Sequence, residues 1–143
     1  MGADVRGIFG FQKSLYSCNS KEYTKSQTLI RDSFEKHILE TLTDLEIHGL
    51  HQPRIPNTSS VLFKGCEAAM LLMALDIHGY DVSAGSACSS GSVKFSPVIK
   101  AMGYSEEDAA ATLRFSFGDL SDISQVKPLV ETLQQVVSLQ RQL

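Results

Sequence analysis

The chain has 143 residues, 43% hydrophobic and 20% charged, which is the composition of one ordinary globular domain and excludes wholesale disorder. The formal net charge is −3, and without a basic run no nucleic-acid partner is expected. No apolar stretch reaches the roughly 20 residues that span a bilayer, and Asp4 and Arg6 interrupt the start where a signal peptide needs an apolar core, so no membrane partner is expected either.

From Lys25 to Leu45 the apolar residues Leu29, Ile30, Phe34, Ile38, Leu42 and Leu45 recur mostly every fourth position. This predicts an amphipathic helix with a core-facing stripe, and with Lys36 and His37 in solvent. Gly49, Pro53 and Pro56 break the pattern, so 47–57 reads as a connector whose notable polar residues are Arg54 and Asn57. Ser60–Phe63 reads as a short strand. Glu67–His78 is apolar nearly all round, which predicts a helix buried on several sides, with Met70 and Met73 as core filler and Gly79 as its stop. Asp81–Ala84 is a candidate strand. Ser96-Pro97 reads as an N-cap and first helical residue of a helix ending at Gly103, and Ser105–Asp108 as a capping box. Thr112–Phe117 alternates as a strand does, ending at Gly118. A last helix carries Val126, Leu129, Val130, Leu133, Val136, Val137 and Leu139. Pro128 is harmless there if Ser124 is the N-cap and a kink if the helix starts at Ser121. The fold class is therefore α/β, of the two-layer α+β kind. We read 1–143 as a single domain, with a helical arm over 1–46 and a small α/β unit over 47–143.

The most unusual segment is Gly85-Ser86-Ala87-Cys88-Ser89-Ser90-Gly91-Ser92. Residues this small offer little packing, so the Cys88 thiol is expected to be exposed and mobile. A nucleophilic thiol also needs thiolate character, for which Lys94 and the helix after Ser96 are the nearest sources in sequence. No histidine is nearby for a Cys–His pair. Composition alone leaves a flexible linker that happens to carry a cysteine equally open. The other cysteines, Cys18 and Cys66, read as an exposed bystander and a small hydrophobe on a helix edge. Three widely spaced cysteines without a CxxC pair, and four histidines without an HExxH or HxxxH pair, argue against disulfides and zinc and suggest a reducing, cytoplasmic setting.

The stretch Val82 to Ser92 resembles the active-cysteine loop of group I cysteine desulfurases, the nitrogen-fixation and iron–sulfur-cluster branch of the class V aminotransferase family. Arg54-Ile55-Pro56-Asn57-Thr58, the helix segment Glu67–Asp76, Ala101-Met102-Gly103, Leu113-Arg114-Phe115-Ser116-Phe117-Gly118 and Gly10-Phe11 resemble further landmarks of that family. The resemblance covers nearly the whole chain. It implies the small C-terminal domain of a fold-type I pyridoxal-phosphate enzyme: a short sheet against helices, a long N-terminal linking helix, and the cysteine loop at 83–92.

In that family pyridoxal phosphate activates free L-cysteine, the loop cysteine takes the sulfur as a persulfide, and alanine leaves. The resemblance makes Cys88 the sulfur acceptor and Arg114 the arginine that holds the α-carboxylate, a task that suits a planar guanidinium. Asn57 either orders the substrate region or simply serves a turn. The implied partners are L-cysteine, an iron–sulfur scaffold protein or another sulfur acceptor, and a large cofactor domain supplied by a partner chain or a dimer. The family's cofactor lysine follows a histidine, and no histidine here precedes a lysine. The lysine and the rest of the large pyridoxal-phosphate domain are thus expected outside this chain. Asp119 also stands where the family has arginine, and Phe95 and Pro97 depart from its pattern. The alternatives to a desulfurase domain are a non-enzymatic persulfide carrier or scaffold-docking module, and an inactive fragment.

Overall fold

The computed structural model describes residues 21–84, 88–89, 92–93, 97–118 and 121–143, with backbone alone at 21, 23, 88–89 and 92–93. Cys18, Lys94, the Ser96 cap, Asp119 and the small residues at 85–87 and 90–91 lie outside the described residues.

Helix α1 (Lys21–Thr41) buries Ile30, Phe34, Ile38 and Leu42, one stripe at steps of four. Leu29, expected in that stripe, is 56% exposed; it stands about 100° from Ile30, off the narrow face that meets the sheet. The predicted helix also ran too far. α1 stops at Thr41, Asp44 takes a left-handed φ of 54°, and Leu45 opens strand β1 (Leu45–Ile47). Leu45, three residues after Leu42, continues the helical spacing by coincidence, so periodicity hid the change. Of the two residues expected in solvent, Lys36 is exposed, whereas His37 is half-buried with Nδ1 2.7 Å from the Ser33 carbonyl.

Strand β2 (Thr58–Phe63) begins two residues before the predicted start. It is followed by α2 (Ala68–Ile77) and by β3 (Ser83–Ala84). Gly79 closes α2 at φ 87°, the left-handed geometry that glycine adopts without penalty. The expectation that α2 is buried on several sides is corrected. Ala68, Leu71 and Leu75 are buried, whereas Met70, Met73 and Ile77 are 45%, 67% and 83% exposed. An all-apolar sequence cannot say which face is covered, and here α2 lies at the rim of the core with a single buried side. Met70 and Met73 are therefore not core filler.

Strands β4 (Cys88–Ser89) and β5 (Ser92–Val93) pair antiparallel in a separate two-stranded ribbon, with Cys88 opposite Val93. Short helices α3 (Pro97–Ala101) and α4 (Glu106–Ala110) follow. The predicted capping box is present: Ser105 Oγ accepts from the Asp108 N–H, and Asp108 accepts from the Ser105 N–H. Strand β6 (Thr112–Ser116) ends one residue short of the predicted Phe117. A 3-10 turn (Ile123–Gln125), capped by Asp122, runs into α5 (Val126–Arg141). Pro128 falls in the first turn of α5, where its missing N–H costs little. Leu139 is exposed, while Val126, Leu129, Val130, Leu133 and Val137 are buried.

The main sheet has the order β1-β2-β6-β3, antiparallel throughout. Because side chains alternate across a strand, Val61, Phe63, Leu113 and Phe115 share the inner face, which α1, α2 and α5 cover. Phe34 of α1 seats the first layer on the second, its ring centroid 4.7 Å from Phe115 and 5.4 Å from Phe117. Arg141 closes the far end of the unit by donating to the carbonyls of Thr43, Asp44 and Lys64 at 2.8, 2.8 and 3.0 Å.

Candidate functional site

The outer face of the sheet carries the alternate residues. At one end it is covered. His48 is 5% exposed and lies edge-on to Tyr104, with centroids 4.3 Å apart. Its Nε2 is 3.2 Å from Thr112 Oγ1, whose own hydroxyl donates to the Asp108 carbonyl at 2.7 Å. Thr112 therefore accepts from His48, which assigns the neutral ring with its proton on Nε2. Nδ1 is buried without a partner among the described residues. Burial lowers the His48 pKa, against the opposing pull of Glu46 and Asp108. Tyr104 donates to the Glu46 carboxylate, and that bond chiefly pushes its phenol up to about 12.

At the other end the outer face is open. Arg114, exposed in the middle of β6, stands opposite Ser60 of β2 on one side and Ser83 of β3 on the other. One step along, Ser116 stands opposite Thr58. Directly opposed residues share a face, so a guanidinium lies among four hydroxyl residues. Among the described residues Arg114 has no carboxylate partner. A fork of donors flanked by hydroxyls suits a planar carboxylate. Sequence reading found Arg114 but missed the hydroxyls. Thr58 and Ser60 on β2, and Arg114 and Ser116 on β6, each stand two residues apart, a signal that was available.

Asn57 sits in a turn. The Thr58 N–H donates to the Ile55 carbonyl at 3.3 Å, with Pro56 at the second position, as a β-turn favours. The Asn57 carbonyl accepts from the Phe117 N–H at 2.8 Å, and its Oδ1 accepts from the Thr58 hydroxyl at 3.2 Å. The turn thus extends the β2–β6 ladder past Ser116, at the Arg114 end of the sheet.

Cys88 follows β3 after three residues. Four peptide steps span at most about 14 Å, so its Cα is tethered within that distance of Ala84, whose neighbour Ser83 faces Arg114. Cys66 is a different kind of thiol. It is half-buried at the start of α2, and burial pushes its pKa up, outweighing the charge and hydrogen bond of Arg141.

Pyridoxal phosphate requires a lysine for its aldehyde and a cradle of donors for its phosphate. An open groove of about 650 Å³ is lined by Lys64, Cys66, Glu67, Glu107, Asp108 and Gln140 among others. Its three carboxylates disfavour a phosphate dianion. The outer-face strip around Arg114 holds no lysine. The described residues do not fit the cofactor. They also bring together no group of three or more metal-ligating side chains, and no helix among them is long and apolar enough to cross a membrane.

A four-stranded antiparallel sheet with helices on one face, and a short cysteine-bearing ribbon that follows β3 in the chain, define a class, and the sequence falls in it. The aminotransferase class-V model matches residues 3–129, and the chain belongs to that family. Similar curated proteins within it include cysteine desulfurases. That of Nostoc sp. is 32% identical over 142 residues, covering 98% of this chain and 36% of that protein. The IscS-like cysteine desulfurase of Mycobacterium tuberculosis is 35% identical over 114 residues, 79% of this chain and 29% of that one. The chain thus spans about a third of the length of the curated relatives it matches. Among solved structures, a NifS-like protein from Rickettsia africae superposes with a TM-score of 0.71 at 24% identity, covering 91% of this chain and 33% of that one. The fold is the small domain of the NifS-like architecture, as the sequence resemblance implied.

Proposed function

We propose that the chain is the sulfur-accepting domain of a cysteine desulfurase, working with a large pyridoxal-phosphate domain supplied from elsewhere. The observation that carries this reading is the register of β3 on β6, which sets Ser83 opposite Arg114 only five residues before Cys88. Arg114 binds the α-carboxylate of L-cysteine, with the flanking hydroxyls orienting it. Asn57 holds the turn that ends the strip. Cys88 as thiolate receives one sulfur and keeps it as a persulfide, and alanine is the product. The chemistry that loosens the carbon–sulfur bond belongs to pyridoxal phosphate, for which the described residues provide no seat. The small residues around Cys88 let the loop take sulfur at one place and deliver it at another, to an iron–sulfur scaffold protein or another acceptor in the cytoplasm. The lack of a cofactor seat among the described residues also favours a second reading, a persulfide carrier without catalysis of its own.

The test mixes the chain with the cofactor-bearing domain of a related desulfurase and L-cysteine. Alanine release is measured together with a one-sulfur mass gain on the Cys88 peptide. Cys88→Ser should abolish the mass gain. Arg114→Lys keeps the charge but loses the fork, a loss of about 1.5–3 kcal/mol, or about tenfold to over a hundredfold in kcat/KM. Unchanged turnover in Arg114→Lys would refute its role. Sulfur loading from a polysulfide donor, without alanine release in any mixture, would leave the carrier reading.

A further inference from the structure

Glu35 is a carboxylate buried in the layer between α1 and the sheet, with its side chain 5% exposed. It accepts from Arg54 Nη1 and Nη2 at 2.5 and 2.9 Å and from Ser59 Oγ at 2.7 Å. One turn earlier on α1, Arg31 Nη1 donates to the Ile55 carbonyl at 3.2 Å. α1 therefore holds the chain on both sides of the Pro56-Asn57 turn, at Arg54 and Ile55 before it and at Ser59 after it. That turn hydrogen-bonds to Phe117 and continues the ladder at the end of the strip where Arg114 lies. The two-pronged contact fixes orientation as well as distance. A buried charge pair adds little net stability over apolar packing, yet loss of one partner is costly. Its geometry, more than its energy, distinguishes it here.

We infer that Glu35 and Arg54 are positioning residues for the carboxylate seat: they make the placement of α1 set the Asn57 turn, and through it the Ser116 end of β6, two residues from Arg114. This rests on the reading of Arg114 as a carboxylate binder and adds the helix that governs it.

The test uses the isotope-labelled chain with L-alanine as the carboxylate probe, read by NMR at the Arg114 Nε–Hε signal, together with amide hydrogen exchange. Three variants are compared: Glu35→Gln, Arg54→Lys, and Arg141→Ala as a destabilising control at the far end of the sheet. In Glu35→Gln and Arg54→Lys, L-alanine binding should weaken about threefold to tenfold, the scale of one misaligned hydrogen bond. Exchange of the Phe117 N–H should accelerate more than that of the other β6 amides. Arg141→Ala should leave the L-alanine affinity unchanged and speed exchange evenly. If Glu35→Gln does not fold, Arg54→Lys, which keeps the charge, carries the test. L-alanine affinity equal to the parent in a folded clamp variant overturns the inference. If the parent shows no response at Arg114, the carboxylate seat itself fails, and the clamp is judged on exchange alone: even acceleration across β6 overturns it.

Discussion

Acidification should destabilise this chain through His48 in a way that a single substitution removes. The ring is 5% exposed, its Nε2 proton is committed to Thr112, and Nδ1 has no acceptor among the described residues. A second proton would create a buried donor without a partner, so burial lowers the pKa, with Glu46 and Asp108 offsetting part of the effect. The unfolded chain, whose histidine titrates near 6.5, then binds more protons than the native state as pH falls below about 6.5. Stability therefore rises with pH between the lowered native pKa and the unfolded value, and is fully present above it. The slope for one group cannot exceed about 1.4 kcal/mol per pH unit. A loss of about 1 kcal/mol corresponds to about 2–4 °C in Tm for a domain of this size. Thermal or urea unfolding of the parent and His48→Gln at pH 7.5, 6.5 and 5.5 isolates the effect, because titrations not coupled to His48 cancel in the difference. The parent's advantage should shrink as pH falls, within that slope. Parallel profiles would refute the reasoning, and a gap that widens in acid would show that the fold holds the protonated ring more tightly than water does.

Cys88 should alkylate well before Cys66, whose thiol burial keeps protonated at neutral pH; peptide mapping after limiting reagent checks this, and first labelling at Cys66 would contradict the loop reading. Arg141→Ala removes three charge-assisted bonds to the carbonyls of Thr43, Asp44 and Lys64. It should cost about 1.5–3 kcal/mol, or about 3–12 °C in Tm; an unchanged Tm would show that water replaces those bonds without loss.

Local chemistry was legible where a residue type forces a geometry. Gly79 and Gly103 end their helices at positive φ, and Ser105 with Asp108 closes the predicted box. Steps of four placed Ile30, Phe34, Ile38 and Leu42 in the core. The same periodicity misled at Leu45, the first strand residue, which happens to fall three positions after Leu42, and at Leu29, which lies just off the stripe. Hydrophobicity without amphipathic contrast could not orient α2, so Met70, Met73 and Ile77 were assigned to an interior they do not enter. Cys88 stood out by its run of small residues and Asn57 by its place in the connector, whereas Arg114 emerged only from family resemblance, since no local rule marks an arginine on a strand for a ligand. The Glu35–Arg54–Ser59 contact was not legible, because its members are distant in sequence and meet only when α1 lies across the sheet.

The strand order carries a consequence for how the protein is made. Among the described residues β6 is the last strand in sequence, yet it lies between β2 and β3. Until residues 112–116 leave the ribosome, the second edge of β2 and the whole of β3 lack their ladder partner. β2 then presents Val61 and Phe63 on one face beside an open row of backbone donors and acceptors, a template for mispairing. The pairing that completes it is long-range and slow by topology. The same late strand brings Arg114, so the arginine and its four hydroxyl neighbours come together only in the step that seals the sheet. A nascent chain therefore contains Cys88 before Arg114 can take its place between β2 and β3.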